Sequence, residues 1–307
     1  MRFRSVTKKL LCSAAIVCVI GGPVHATFAR TQTRQRSQKR TDSHSTRPRI
    51  EMSAEARVLL DQAMDVVCRE QKLDPMASVA IDEMQARPSL PVHAPEAQAG
   101  LARAQRVLPA AKTLVISSLQ QLASDYGLKS PIFQTRIQRA IARVKMVRRI
   151  KPDMDSRDNA AVFLTRPNTI TFGTIFLAGL KSDEGMISVL AHELMHIADG
   201  NSDSLRALVV AVSRRATALT GIDARGQRGE ELTCDLIGAM AVRSFVAESP
   251  SYESVARRLA RSIQHNCVDI DEGDDDHLSP RSTIRALLAV HPPLVRELVY
   301  NRQERGQ

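Results

Sequence analysis

Residues 187–197 read Ile187-Ser188-Val189-Leu190-Ala191-His192-Glu193-Leu194-Met195-His196-Ile197. Two histidines four positions apart on a helix lie on one face, close enough to share one cation. Glu193 stands beside them, able to accept a proton from water held on such a cation. The flanking Ile187, Val189, Leu190, Leu194, Met195 and Ile197 predict a buried helix. Polar metal-binding groups are costly to bury in an apolar helix without partners, and a metal ion is such a partner.

A catalytic zinc site needs a third protein ligand and an open coordination position. Working outward, the nearest candidates are in Glu230-Glu231-Leu232-Thr233-Cys234-Asp235. Glu231 and Asp235 are four apart and share a helix face. Glu231 can complete a two-histidine, one-glutamate set. Asp235 can accept a hydrogen bond from a ligand histidine and orient it. Two acids on a solvated face would look the same locally, but Leu236, Ile237, Ala239 and Met240 argue for a partly buried helix.

Around these helices the pattern is mainly helical. Residues 53–73 have helical periodicity with Ser53 as N-cap, 96–125 form a second run that Pro109 should break or kink, and Ser130-Pro131 opens a third. Helical patterns recur at 183–199, 204–219, 229–247, 252–265 and 292–302. Ala161–Thr165 and Thr169–Phe172, joined by the turn at Arg166-Pro167-Asn168, predict a hairpin. The expected class is α+β, mainly helical, with a small antiparallel β element. The acidic run Asp269–Asp276 lacks the spacing of a calcium loop and reads as solvated. His25, His44, His93, His265 and His277 have no ligand spacing and read as surface or local structure.

The net charge of +10 invites a nucleic-acid reading, but residues 1–50 hold 11 Lys and Arg against Asp42 alone, so residues 51–307 are balanced. Aromatics are 3% and Trp is absent, which removes stacking platforms as well. Composition therefore argues against a nucleic-acid partner, which is left as a distant third reading. Arg2, Arg4, Lys8 and Lys9, the apolar run Leu10–Ile20 and Val24-His25-Ala26 have the layout of a secretory signal peptide over 1–26. The run falls short of the roughly 20 residues a membrane helix needs. An uncleaved anchor is the alternative. Lipidation at Cys12 or Cys18 is disfavoured because Leu11 and Val17 precede them. Residues 27–50 read as a disordered basic arm, a linker or a peripheral contact with membrane or envelope. A helical region over 51–150 and a domain over 151–307 follow. Export predicts an oxidising, periplasmic setting in which Cys68, Cys234 and Cys267 form at most one disulfide, of open pairing.

Several segments in order resemble the zinc metallopeptidases that include the heat-shock protease HtpX, the CAAX prenyl endopeptidases and the Oma-type proteases. These are Asn159–Phe163 with Thr169–Phe172, Leu180–Glu184 leading to His192-Glu193, Glu231–Asp235 with Gly238, and His291-Pro292-Pro293. The resemblance covers roughly 150–300 and implies a zincin-like core. It implies one Zn2+ per chain on His192, His196 and Glu231, with Glu193 as general base, Asp235 orienting a ligand, and protein or peptide substrates. By resemblance alone, His291 would donate to a developing oxyanion; the simpler reading has it packing a helix start before Pro292. The strand at Thr169–Phe172 could pair with an extended peptide. Two positions depart from the family's pattern: Cys234 replaces a small residue, and Glu297 stands where an arginine is usual. The resemblance implies an envelope endopeptidase acting in protein quality control; a latent or inactive chaperone or scaffold on the same fold is the alternative.

Overall fold

Ser53 caps the first helix of the computed structural model, α1 (Ala54–Leu73), its hydroxyl accepting from the Ala56 amide at 3.1 Å. The structure describes residues 51–74, 89–163, 165–200, 205–267 and 272–301, all within one compact unit. The expected signal peptide, the basic arm and Asp269–Asp271 of the acidic run lie outside the described residues.

Pro95 at the first turn opens α2 (Pro95–Asp125), which continues as one helix past Pro109, where the sequence predicted a break or kink. Apolar packing on both sides of that proline, from Ala104 and Leu108 to Ala111 and Val115, holds the helix together. Helix α3 (Pro131–Met146) begins at the Ser130 cap, as its Ser-Pro signal predicts. Strand β1 (Arg149–Asp153) follows, which helical periodicity to about 150 did not anticipate. The hairpin is present as β2 (Ala160–Val162) and β3 (Thr169–Gly173), paired antiparallel. The sheet order is β1-β3-β2, with β1 parallel to β3, so the sheet is mixed rather than antiparallel. Position 150 is accordingly no physical boundary: β1 crosses it.

The remaining helices are α4 (Thr174–Gly179), α5 (Asp183–Asp199), α6 (Arg206–Thr220), α7 (Gln227–Glu248), α8 (Val255–Ala260), α9 (Pro280–Val290) and α10 (Pro292–Tyr300). The sequence pattern predicts neither α4 nor α9, and it carries α8 beyond its observed ends. With a mainly helical chain and one small sheet, the molecule is of the α+β class. None of the described helices is long and apolar enough to cross a membrane.

Helix α5 is the hub, packed by α2, α3, α7 and β2. Its start is fixed by the Ser182 hydroxyl on the Gly185 amide at 3.0 Å, with Asp183 and Glu184 at the positive end of the helix dipole. Its end is fixed by Gly200 at φ 70° and by the Arg143 guanidinium, which donates to the carbonyls of Ile197, Ala198 and Asp199. Gly238 lets α7 cross α5 closely: a Cβ there would stand 3.0 Å from both the carbonyl and hydroxyl oxygens of Ser188.

A buried ion network ties α1, α5 and α8 together. Arg258 pairs with Glu184 at 2.6 Å, and Arg261 pairs with Asp74 at 2.7 Å and Glu253 at 2.5 Å. Beside it, Cys68 of α1 is bonded to Cys267, which leaves Cys234 as a buried free thiol. The disulfide closes a separation of 199 residues. Replacing both cysteines by serine should lower unfolding free energy by about 2–5 kcal/mol, the range expected for so long a loop. Denaturant titration checks this; an unchanged midpoint would show that α1 is held without the bond.

Candidate metal centre

The i, i+4 spacing on α5 does what helical geometry requires: the Nε2 atoms of His192 and His196 face each other at 3.2 Å. Helix α7 crosses so that its first exposed turns meet these rings. Glu231 Oε2 lies 3.2 Å from His192 Nε2 and 3.6 Å from His196 Nε2. On the far side of each ring, α7 supplies a second partner. His192 Nδ1 donates to Asp235 Oδ1 at 2.9 Å, and His196 Nδ1 lies 3.7 Å from Cys234 Sγ and 3.6 Å from Glu230 Oε1. Asp235 is shared, because His265 Nε2 reaches its Oδ2 at 2.8 Å.

All of these groups except the buried Cys234 line a cleft of about 640 Å³, together with Glu193, the residues of β2, Arg228 and His277. Five of the six residues singled out from sequence therefore meet in one place: His192, Glu193, His196, Glu231 and Asp235. His291 does not line this cleft. It is the buried junction of α9 and α10, its carbonyl accepting from the Leu294 and Val295 amides, which is the helix-start packing role. Burial, with Arg243 nearby, pushes its imidazole down to about 4. Glu297, where the resemblance expected an arginine, is itself paired with Arg243 at 2.6 Å. His265 and His277, which read as surface or local structure, both line the cleft; His277 is exposed and paired locally with Asp274, whereas His265 is half-buried against Asp235, and neither has a spacing signal that places it there.

Electrostatically the centre is a buried exchange between imidazoles and carboxylates. Burial opposes charge on Glu231, but its bonds to His192 and His196 hold it well below the usual carboxylate range. Burial likewise opposes charge on Asp235, and His265 and His192 outweigh it. Both imidazoles are pushed up: against the cost of burial, Asp235 and Glu231 favour the charged form of His192, and Cys234, Glu230 and Glu231 that of His196. Glu193 differs. Burial raises its carboxyl, and the two imidazoles only partly offset that.

Two imidazoles with carboxylates on both sides is a donor set that suits a divalent cation. The group His192, His196 and Cys234 is close enough to hold a metal ion, its ligand atoms lying within 4.8 Å of one another. Compared with protein-family models, with curated proteins and with solved structures, the chain matches none.

A ligand imidazole must be unprotonated at the nitrogen that binds, and the surrounding carboxylates favour the charged rings, so a metal competes with protons here. Metal uptake near pH 7 should release protons, and apparent affinity should fall as pH is lowered. Calorimetry in buffers of different ionisation enthalpy measures the release; heats independent of buffer would refute it.

Proposed function

We propose that the chain is a zinc-dependent endopeptidase of the cell envelope, with one Zn2+ on His192, His196 and Glu231. The observation that carries this is the convergence of two Nε2 atoms and one carboxylate oxygen beside Glu193 on the wall of a cleft. Ligand atoms about 2.0–2.2 Å from a tetrahedral zinc stand roughly 3.3–3.6 Å apart. The separations of 3.2, 3.2 and 3.6 Å among His192 Nε2, His196 Nε2 and Glu231 Oε2 fit that geometry. Cys234 competes for the role of third ligand. Its sulfur, however, lies against Nδ1 of His196, the nitrogen turned away from His192, so it stands behind His196 as Asp235 stands behind His192.

When bound, zinc supplies Lewis-acid polarisation of a peptide carbonyl and lowers the pKa of a water toward neutrality. Glu193 takes the proton of the attacking water and delivers it to the leaving amine. Its burial, which raises its pKa, brings it closer to the operating pH of a general base. Asp235 fixes the ring of His192 so that Nε2 faces the metal. Substrate is assigned to β2 rather than to the Thr169–Phe172 strand. That strand, β3, is the middle of the sheet and has both edges paired, whereas β2 is an edge and lines the cleft. An extended peptide added there would lie across Glu193.

The disulfide between Cys68 and Cys267 supports an oxidising compartment. Envelope quality control is the kind of role that the family resemblance implies.

Glu193→Gln should keep its zinc and lose peptide cleavage by about 10²-fold or more; wild-type rates in that variant would sink the mechanism. Glu231→Ala should leave far less than one zinc per chain, with Cys234→Ala keeping it. The opposite pattern would make the thiol the third ligand. Zinc without cleavage of an unfolded substrate by the wild-type protein would favour the scaffold or latent reading.

A further inference from the structure

Asp235 is a carboxylate between two imidazoles. Oδ1 accepts from His192 at 2.9 Å and Oδ2 from His265 at 2.8 Å. The side chain is buried, so an oxygen left without a donor would be costly, and the carboxylate would turn to seek one. His265 prevents that turn. It belongs to no helix and follows α8, on a segment that has no helical ladder of its own to hold it.

That segment is held from outside. Gln71 of α1 donates to the carbonyls of His265 at 2.9 Å and Ile263 at 3.4 Å, and its own carbonyl accepts from the Cys267 amide at 3.1 Å. One turn earlier on α1, Cys68 is bonded to Cys267. From the other side, Ser188 of α5 donates to the Ser262 carbonyl at 2.6 Å and accepts from Gln264 at 3.2 Å. The segment is thus stapled between α1 and the same helix that carries His192, with His265 presented to Asp235.

We propose that His265 is a positioning residue that acts through Asp235 on the metal ligand His192, and that the Cys68–Cys267 and Gln71 clamp sets its place. The inference rests on the zinc reading of the site. Its consequence is that a turn of α1, far away in sequence, governs how firmly the centre holds its metal.

The test uses the zinc-loaded full chain and reads zinc release to a chromogenic chelator, alongside the visible spectrum of the cobalt-substituted protein. His265→Leu keeps bulk but no donor; it should release zinc on the order of tenfold faster, the low end for losing support behind a metal ligand, and shift the cobalt bands. His265→Gln, whose amide reaches the same oxygen, should restore both towards wild type. Combining His265→Leu with Asp235→Asn should add little to Asp235→Asn alone, because both act on one ring. The double serine variant at Cys68 and Cys267 should release zinc faster than wild type and more slowly than His265→Leu.

Folded His265→Leu with wild-type release and an unchanged cobalt spectrum overturns the proposal, as does a His265→Gln variant no better than leucine. Unchanged release in the double serine variant overturns the clamp. If leucine does not fold, His265→Asn, too short to reach Asp235, is judged by the same outcomes. A wild-type chain that takes up no zinc overturns the metal reading itself, which is a distinguishable failure.

Discussion

Burying two imidazoles and a carboxylate on one helix is the constraint around which the molecule is arranged. Helix α5 is apolar on nearly every side, and His192, His196 and Glu193 meet solvent only where they line the cleft. Their partners must come from another element, and they come from α7. The two helices can meet closely because Gly238 has no side chain to push Ser188 away. The resulting crossing sets Glu231 on the Nε2 side of the rings and Asp235 and Cys234 on the Nδ1 side. Each ring is therefore oriented by one nitrogen and left to present the other, which is what a ligand histidine requires.

Such a centre has value only if α5 cannot shift. Its two ends are fixed by different chemistry. At the start, a serine cap and the buried Glu184–Arg258 pair hold the first turn. At the end, Arg143 collects the carbonyls that the helix cannot satisfy itself. A buried ion pair is weak evidence for net stability, because desolvation offsets most of the attraction. Its effect here is positional: it forbids Glu184 and Arg258 from separating, and so keeps α8 and the segment behind it against α5.

What was legible in the sequence was what is local. The i, i+4 histidines, the Glu231 and Asp235 pair, the serine caps and the hairpin are all periodicities or short signals, and the structure places each as read. What was not legible depends on distant pairing. Strand β1 is five residues whose Pro152 and alternating cations carry little strand signal; it exists because β3 offers it a parallel edge. For the same reason β3, which looked free to accept a peptide, is enclosed on both sides. His265 has no metal-ligand spacing because it does not face the metal side of the rings. It is defined by Asp235, 30 residues away in sequence.

The region before β1 shows the limit most clearly. Residues 54–73 read as an amphipathic helix with no chemistry, and by composition that is what α1 is. Two of its residues change the picture, and neither stands out alone. Cys68 and Gln71 lie one turn apart, so they face the same way and grip one short segment covalently and through both ends of an amide. A pair at that spacing carries no signature until its target, separated by 199 residues from the cysteine, is known. The segment they hold carries the histidine that completes Asp235. The helix that seemed a mere support is thereby linked, through the backbone of that segment and then through His265 and Asp235, to the ring that faces the proposed metal.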